Sequence, residues 1–181
     1  MVGLPGAGKT TRARELAAQH HALRMTPDEW MISLFDGSQP DNKRDLLEGR
    51  LITLAFQTLR LGTSVVLDFG LWSRDERSAL RRLAATAGVT CRVVYLPVDR
   101  EVQRARVAHR QATAAHTTFP MTDADLDEWR GWFEAPGAPE LRGETIPGPP
   151  PGWPGWPEWA VGRWPSLDLT AVLPAAGGPL G

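Results

Sequence analysis

The sequence predicts an α/β fold in which a parallel sheet lies between two layers of helices. Three observations predict it. Between residues 1 and 135, apolar runs of strand length alternate with segments of helical spacing. The run SVVLDF, residues 64–69, is continuously apolar and β-branched up to its Asp, the pattern of a strand covered on both faces. A glycine-rich stretch, GLPGAGKT at 3–10, stands just before the first helical segment, at the strand end where such sheets bind ligands.

The elements follow in order. TRARELAAQ, 11–19, reads as the first helix and ALRM, 22–25, as a short strand. TPDEW opens the next helix: Thr26 is placed to cap it, Pro27 suits its first turn, and Glu29 completes a capping box. Residues 41–61 carry Leu47, Leu51, Leu54 and Ala55 at helical spacing, with Gly62 as a stop. SVVLDF is the third strand. SRDERSALRRLAATAG, 73–88, is a helix with Ser73 and Glu76 as a capping box and Gly88 as its end. CRVVYL, 91–96, reads as a buried strand, with Cys91 a buried, inert thiol. REVQRARVAHRQ, 100–111, is a basic helix, and TDADLDEWRGWFEAP ends the series at Pro136.

From Pro136 onward the composition changes: eleven of the sixteen prolines and half of the eighteen glycines lie there, so regular structure cannot run throughout. Trp153, Trp156, Trp159 and Trp164 interrupt this tail. They can pack on the domain surface or form a partner site; a loosely docked extension is the expectation. The division is a domain over 1–140 and a Pro/Gly/Trp-rich extension over 141–181. Only Met1 and Val2 precede Gly3, so the first strand is expected to be truncated, with further apolar residues upstream in the natural protein. The alternative is that SLDLTAVL, 166–173, inserts to complete the sheet.

Composition bounds the function. A net charge of −1 gives no global basic field for nucleic acid. One cysteine excludes a disulfide framework, and no apolar run approaches membrane-spanning length. A cytoplasmic protein is the default expectation.

The spacing G-x-x-x-x-G-K-T carries the chemistry. Its glycines let successive N–H groups turn inward on phosphate, Lys9 reaches the β- and γ-phosphates, and the Thr10 hydroxyl ligates Mg²⁺. The candidate nucleotide-binding set is therefore Gly3, Leu4, Pro5, Gly6, Ala7, Gly8, Lys9, Thr10 and Thr11. Asp68, closing an apolar strand at the same sheet edge, is the second metal-side candidate. Asp28 is either a helix-start acid favoured by the dipole or an acceptor-side base. Arg106 and Arg110 share a helix face, with Arg104 nearby; they are candidate lid arginines over the transferred group, and HTTFP, 116–120, is the lid loop. The histidines show no metal-binding spacing.

GLPGAGKTTRARE, TPDEWM, VVLDFGLWSRDER, RARVAHR and DADLDEWRGWFEAP together resemble the small P-loop kinases of the AAA_33 or zeta-toxin-like group, most closely the kinase domain of polynucleotide kinases. The resemblance covers roughly residues 1–140. It implies a P-loop NTPase fold, Asp28 as catalytic aspartate, and Arg106 and Arg110 as lid arginines. Two positions depart from that group. Met31 stands where polynucleotide kinases place an arginine for the acceptor's phosphate, and Phe69 and Gly70 replace polar residues after the third strand. Nucleic acid is therefore not the favoured acceptor. Trp30, Met31 and Trp72 suggest a more apolar acceptor pocket, unless they are ordinary helix–sheet packing. The expectation is an ATP- and Mg²⁺-dependent kinase acting on a hydroxyl-bearing acceptor, with Lys9, Asp28, Arg106 and Arg110 catalytic and Thr10 and Asp68 on the metal. A nucleotide switch acting through a partner is the alternative; a mechanical AAA+ ATPase is the weaker third.

Overall fold

Two short parallel strands, β1 Leu23–Met25 and β2 Val65–Leu67, pair with Leu23 opposite Val65 and Met25 opposite Leu67. The computed structural model describes residues 1–36, 38, 40–114 and 118–172. Val2 extends the sheet, bridging in parallel to Gly70 on one side and Tyr95 on the other. Its N–H donates to the Val94 carbonyl at 2.9 Å, and its carbonyl accepts from Leu96 N–H at 3.0 Å. Across the sheet the order is therefore β1, β2, the stretch around Val2, then residues 94–96. This arrangement sets the glycine loop at the sheet edge beside Asp68.

The helices are α1 Lys9–Gln19, α2 Pro27–Phe35, α3 Lys43–Arg60, α4 Arg74–Thr86, α5 Arg100–Ala114, α6 Asp123–Trp132, α7 Ala138–Leu141 and α8 Trp156–Arg163. A 3-10 turn, Leu169–Ala171, follows them. Both α1 and α3 pack on the β1–β2 pair, and α8 lies against α4. The capping box of α4 forms: Ser73 Oγ accepts from Glu76 N–H at 3.0 Å, and the Glu76 carboxylate accepts from Ser73 N–H at 3.1 Å. Thr122 and Asp125 make the same exchange at the start of α6.

Several expectations are corrected. The capping box at Thr26 does not form, because arginines from β1 and α1 capture Glu29: it pairs with Arg24 and, at 3.1 Å, with Arg14. β2 is half-buried rather than covered on both faces, and Leu54 of α3 is exposed. CRVVYL pairs only through Val94–Leu96, opposite Val2; Cys91 and Arg92 lie beyond that pairing and are exposed, so the thiol is not buried.

The tail is the largest correction. Trp156, Ala160, Trp164, Leu167 and Val172 are buried in one core with Met25, Leu51, Ile52, Phe56, Leu80 and Leu83. The reason is physical: the inner faces of α3 and α4 are apolar, and the tail's rings cover them. The Trp156 indole N–H donates to the Pro147 carbonyl at 2.8 Å, which satisfies its polar edge inside the core. This is not a loosely docked extension. Residues 166–172 pack on α3, where Asp168 N–H donates to Thr53 Oγ1 at 3.0 Å, and do not join the sheet. Among the described residues no helix is long and apolar enough to cross a membrane.

Candidate active site

The glycine loop opens on a cleft of about 710 Å³. Gly6 has φ +76°, a left-handed conformation, and a Cβ there would meet the Gln103 carbonyl at 3.1 Å. The loop therefore needs a residue without a side chain to turn this close to α5. Gly8, also left-handed, is the N-cap of α1 and offers no side-chain cap. The first helical bond at this end runs from Arg12 N–H to the Gly8 carbonyl at 3.1 Å. The N–H groups of Lys9, Thr10 and Thr11 thus stand at a positive helix end without helical acceptors.

Pro5, Gly6, Gly8, Lys9, Thr10 and Thr11 line the cleft. Gly3, Leu4 and Ala7 are buried beneath it. Lys9 Nζ donates to the Leu4 carbonyl at 2.9 Å. Burial pulls its ammonium down to about 8, with Asp28 and Asp68 opposing that shift and Arg110 and Arg44 adding to it. Lys9 thus stands as a buried cation between two carboxylates and two arginines.

Asp28, Asp68, Arg106 and Arg110 line the same cleft, so every candidate catalytic and metal-side residue opens on one space. Arg106 Nη1 donates to the Gly6 carbonyl at 3.2 Å. Among the described residues, Arg110 Nε is buried without a hydrogen-bond partner. Arg104 is drawn away instead: it pairs with Asp127 at 2.8 Å and with Asp123 at 3.8 Å. Of the expected lid loop, His116 and Thr117 lie outside the described residues, while Thr118 and buried Phe119 reach the cleft.

Asp68 is buried and its Oδ2 accepts from Arg24 Nη1 at 2.9 Å; among the described residues its Oδ1 carries no hydrogen bond. A single carboxylate oxygen without a hydrogen bond, in a cleft that Thr10 also lines, suits Mg²⁺, which takes one or two protein oxygens and completes its shell with phosphate and water. Among the described residues no group of three or more His, Cys, Asp and Glu is placed to hold a metal ion.

Other residues of the cleft were not legible in the sequence. Arg44 Nη1 donates to Asp28 Oδ1 at 2.8 Å, and Arg44 Nε donates to Glu48 Oε1 at 3.0 Å. Burial raises the Glu48 carboxyl, while Arg44 and Arg163 pull it back down. Trp129 of α6 stands beside Trp72, ring centroids 5.7 Å apart, on the cleft wall with Phe69 and Leu71. Of the three residues expected in an apolar pocket, only Trp72 is there. Met31 is fully buried and Trp30 is exposed, outside the lining.

The family model AAA_33, an AAA domain, matches residues 1–136. No curated protein matches the chain.

Proposed function

Because the chain belongs to the AAA_33 family and therefore carries a P-loop nucleotide-binding domain, we propose that it is an ATP-dependent phosphotransferase acting on a hydroxyl group. One observation carries this reading: the phosphate loop, two arginines of α5 and a carboxylate of α2 line a single cleft. In this reading the N–H groups at the start of α1 and Lys9 hold the β- and γ-phosphates. Arg106 and Arg110 stabilise charge on the transferred group. Asp28 orients the acceptor hydroxyl and takes its proton. Thr10 and Asp68 would hold Mg²⁺, whose chemistry is to neutralise charge on the β- and γ-oxygens. The protein otherwise contributes position and electrostatics.

The acceptor reading follows from which charges are spent. Arg44 is occupied by Asp28 and Glu48, and Arg163 by Asp45, Glu48 and Glu76. Among the described residues, the cleft cations without a carboxylate partner are Lys9, Arg106 and Arg110, the ones this reading gives to the nucleotide, and the same lining includes the rings of Trp72 and Trp129. That distribution supports a small hydroxyl-bearing molecule with an apolar face over nucleic acid. The test is a screen of small hydroxyl compounds and 5′-hydroxyl oligonucleotides with γ-labelled ATP. Label should move to a small acceptor, and Lys9→Ala should abolish transfer. Equal transfer by this variant and the parent would overturn the reading; full release of label to water alone would replace transfer with hydrolysis.

A further inference from the structure

The tail reaches the candidate base. Trp164, directly after α8, donates its indole N–H to Glu48 Oε2 at 3.0 Å, and both residues are buried. The other oxygen of Glu48 takes Arg44 Nε, and Arg44 Nη1 holds Asp28 Oδ1. The adjacent Arg163 braces the same carboxylate from 3.8 Å and joins it to Asp45 at 2.6 Å and Glu76 at 2.8 Å. A continuous chain of hydrogen bonds thus runs from Trp164 through Glu48 and Arg44 to Asp28. Only its first member lies outside the 1–136 segment that the family model matches.

The helix facing the tail is fitted to it. Gly49, next to Glu48, has no room for a side chain: a Cβ there would meet Ser166 Oγ at 2.5 Å and Leu167 N at 2.8 Å. Ser166 Oγ also donates to the Leu46 carbonyl. The tail backbone therefore lies directly on the turn of α3 that carries Glu48. Without Trp164 and Arg163, a buried carboxylate would lose its partners on one side, and such groups re-orient or take up a proton. Arg44 would then lose its anchor.

We propose that Trp164 and Glu48 are positioning residues for the acceptor-side reaction: the C-terminal segment fixes Glu48, Glu48 fixes Arg44, and Arg44 aims Asp28 at the accepting oxygen. This rests on the reading of Asp28 as the carboxylate that orients that oxygen. The assay is the slow release of labelled phosphate from ATP to water, which needs no identified acceptor. Trp164→Phe keeps an aromatic ring and removes the donor; Glu48→Gln removes the charge. Each should lower turnover by about tenfold to a hundredfold, the range for a displaced reacting group. The apparent KM for ATP should stay unchanged, because the phosphate loop is untouched.

The deciding measurement is a double-mutant cycle with Asp28→Asn. If Trp164 acts through Asp28, Trp164→Phe costs nothing further in the Asp28→Asn background. A merely structural loss, followed by melting temperature, would persist in both backgrounds. Parental turnover in both single variants while Asp28→Asn is slow would overturn the proposal, as would a full multiplicative loss in the double variant. Parental turnover in Asp28→Asn itself would remove the role of Asp28, and the proposal with it. If Glu48→Gln does not fold, Trp164→Phe carries the test alone.

Discussion

Lys9 ties the site's chemistry to pH. Burial sets its ammonium near 8 in the folded protein, against about 10.4 for a free lysine. Between those values the unfolded chain binds more protons than the folded one, so stability rises with pH as the cost of the buried charge is relieved. Nucleotide affinity should move the other way. ATP favours the charged lysine, so its affinity should be constant below about pH 8 and fall roughly tenfold per unit above it. Calorimetric titrations between about pH 7 and 9.5 would check this; a flat affinity across that range would mean Lys9 does not meet phosphate. Arg110 makes a contrasting case. Among the described residues its Nε is buried without a hydrogen-bond partner on the lining of the same cleft, which suits it to a group that arrives during reaction. Arg110→Ala should lower turnover by about 10³-fold or more, the scale of a transition-state arginine, and weaken ATP binding far less. Comparing single-turnover rates with equilibrium binding separates the two effects; equal losses in both would make Arg110 an ordinary phosphate contact.

At the start of α4 one carboxylate serves two elements. Glu76 closes the capping box on Ser73 through Oε2 and receives Arg163 of α8 on Oε1. Ser73→Ala removes only the cap and should cost about 0.5–2 kcal/mol in urea denaturation. Glu76→Ala removes the cap's return bond and also leaves Arg163 short of an acceptor, so it should cost more; an equal or smaller loss would mean that Arg163 and Glu76 are only a surface contact. The first half of this arrangement was legible in the sequence, because a capping box is a local pattern of four residues. So was the phosphate loop, whose conformation is dictated by its own glycines. The second half was not. Arg163 and Glu76 lie 87 residues apart, and Trp164 and Glu48 lie 116 apart. Nothing local in either partner points to the other. The same limit explains the failed cap at Thr26: its spacing was right, but Arg24 of the adjacent strand and Arg14 of α1 held Glu29 more strongly than the helix end could. Cys91 misled for another reason. An apolar run promises burial only as far as a neighbouring strand pairs with it, and pairing here reaches just Val94–Leu96.

At the scale of the whole molecule the tail decides what kind of folding unit this chain is. A proline-rich composition suggested a separate extension, yet Trp156 and Ala160 of α8 and, after it, Trp164, Leu167 and Val172 are buried with α3 and α4. The prolines shape the path, since they cannot occupy helix interiors, and the tryptophans between them provide the buried surface. Trp164 is fully buried, touches Trp159 edge-on with centroids 6.0 Å apart, and holds the buried Glu48. Trp164→Ala should therefore cost about 3–5 kcal/mol for the cavity. Leaving the Glu48 oxygen without its hydrogen bond adds about 1–3 kcal/mol. Domains of this kind hold only about 5–15 kcal/mol in total, so the variant should be largely unfolded near body temperature. Trp153, partly exposed at the outer surface of the same tail, is the control, and its replacement by alanine should be far milder. In the parent, tryptophan fluorescence, to which the tail contributes four of the eight indoles, and helical circular dichroism weighted toward the rest should report one coincident transition. An early fluorescence transition that leaves the helices intact, or a Trp164→Ala variant melting like the parent, would instead make residues 141–181 a separable unit docked on an independently stable domain.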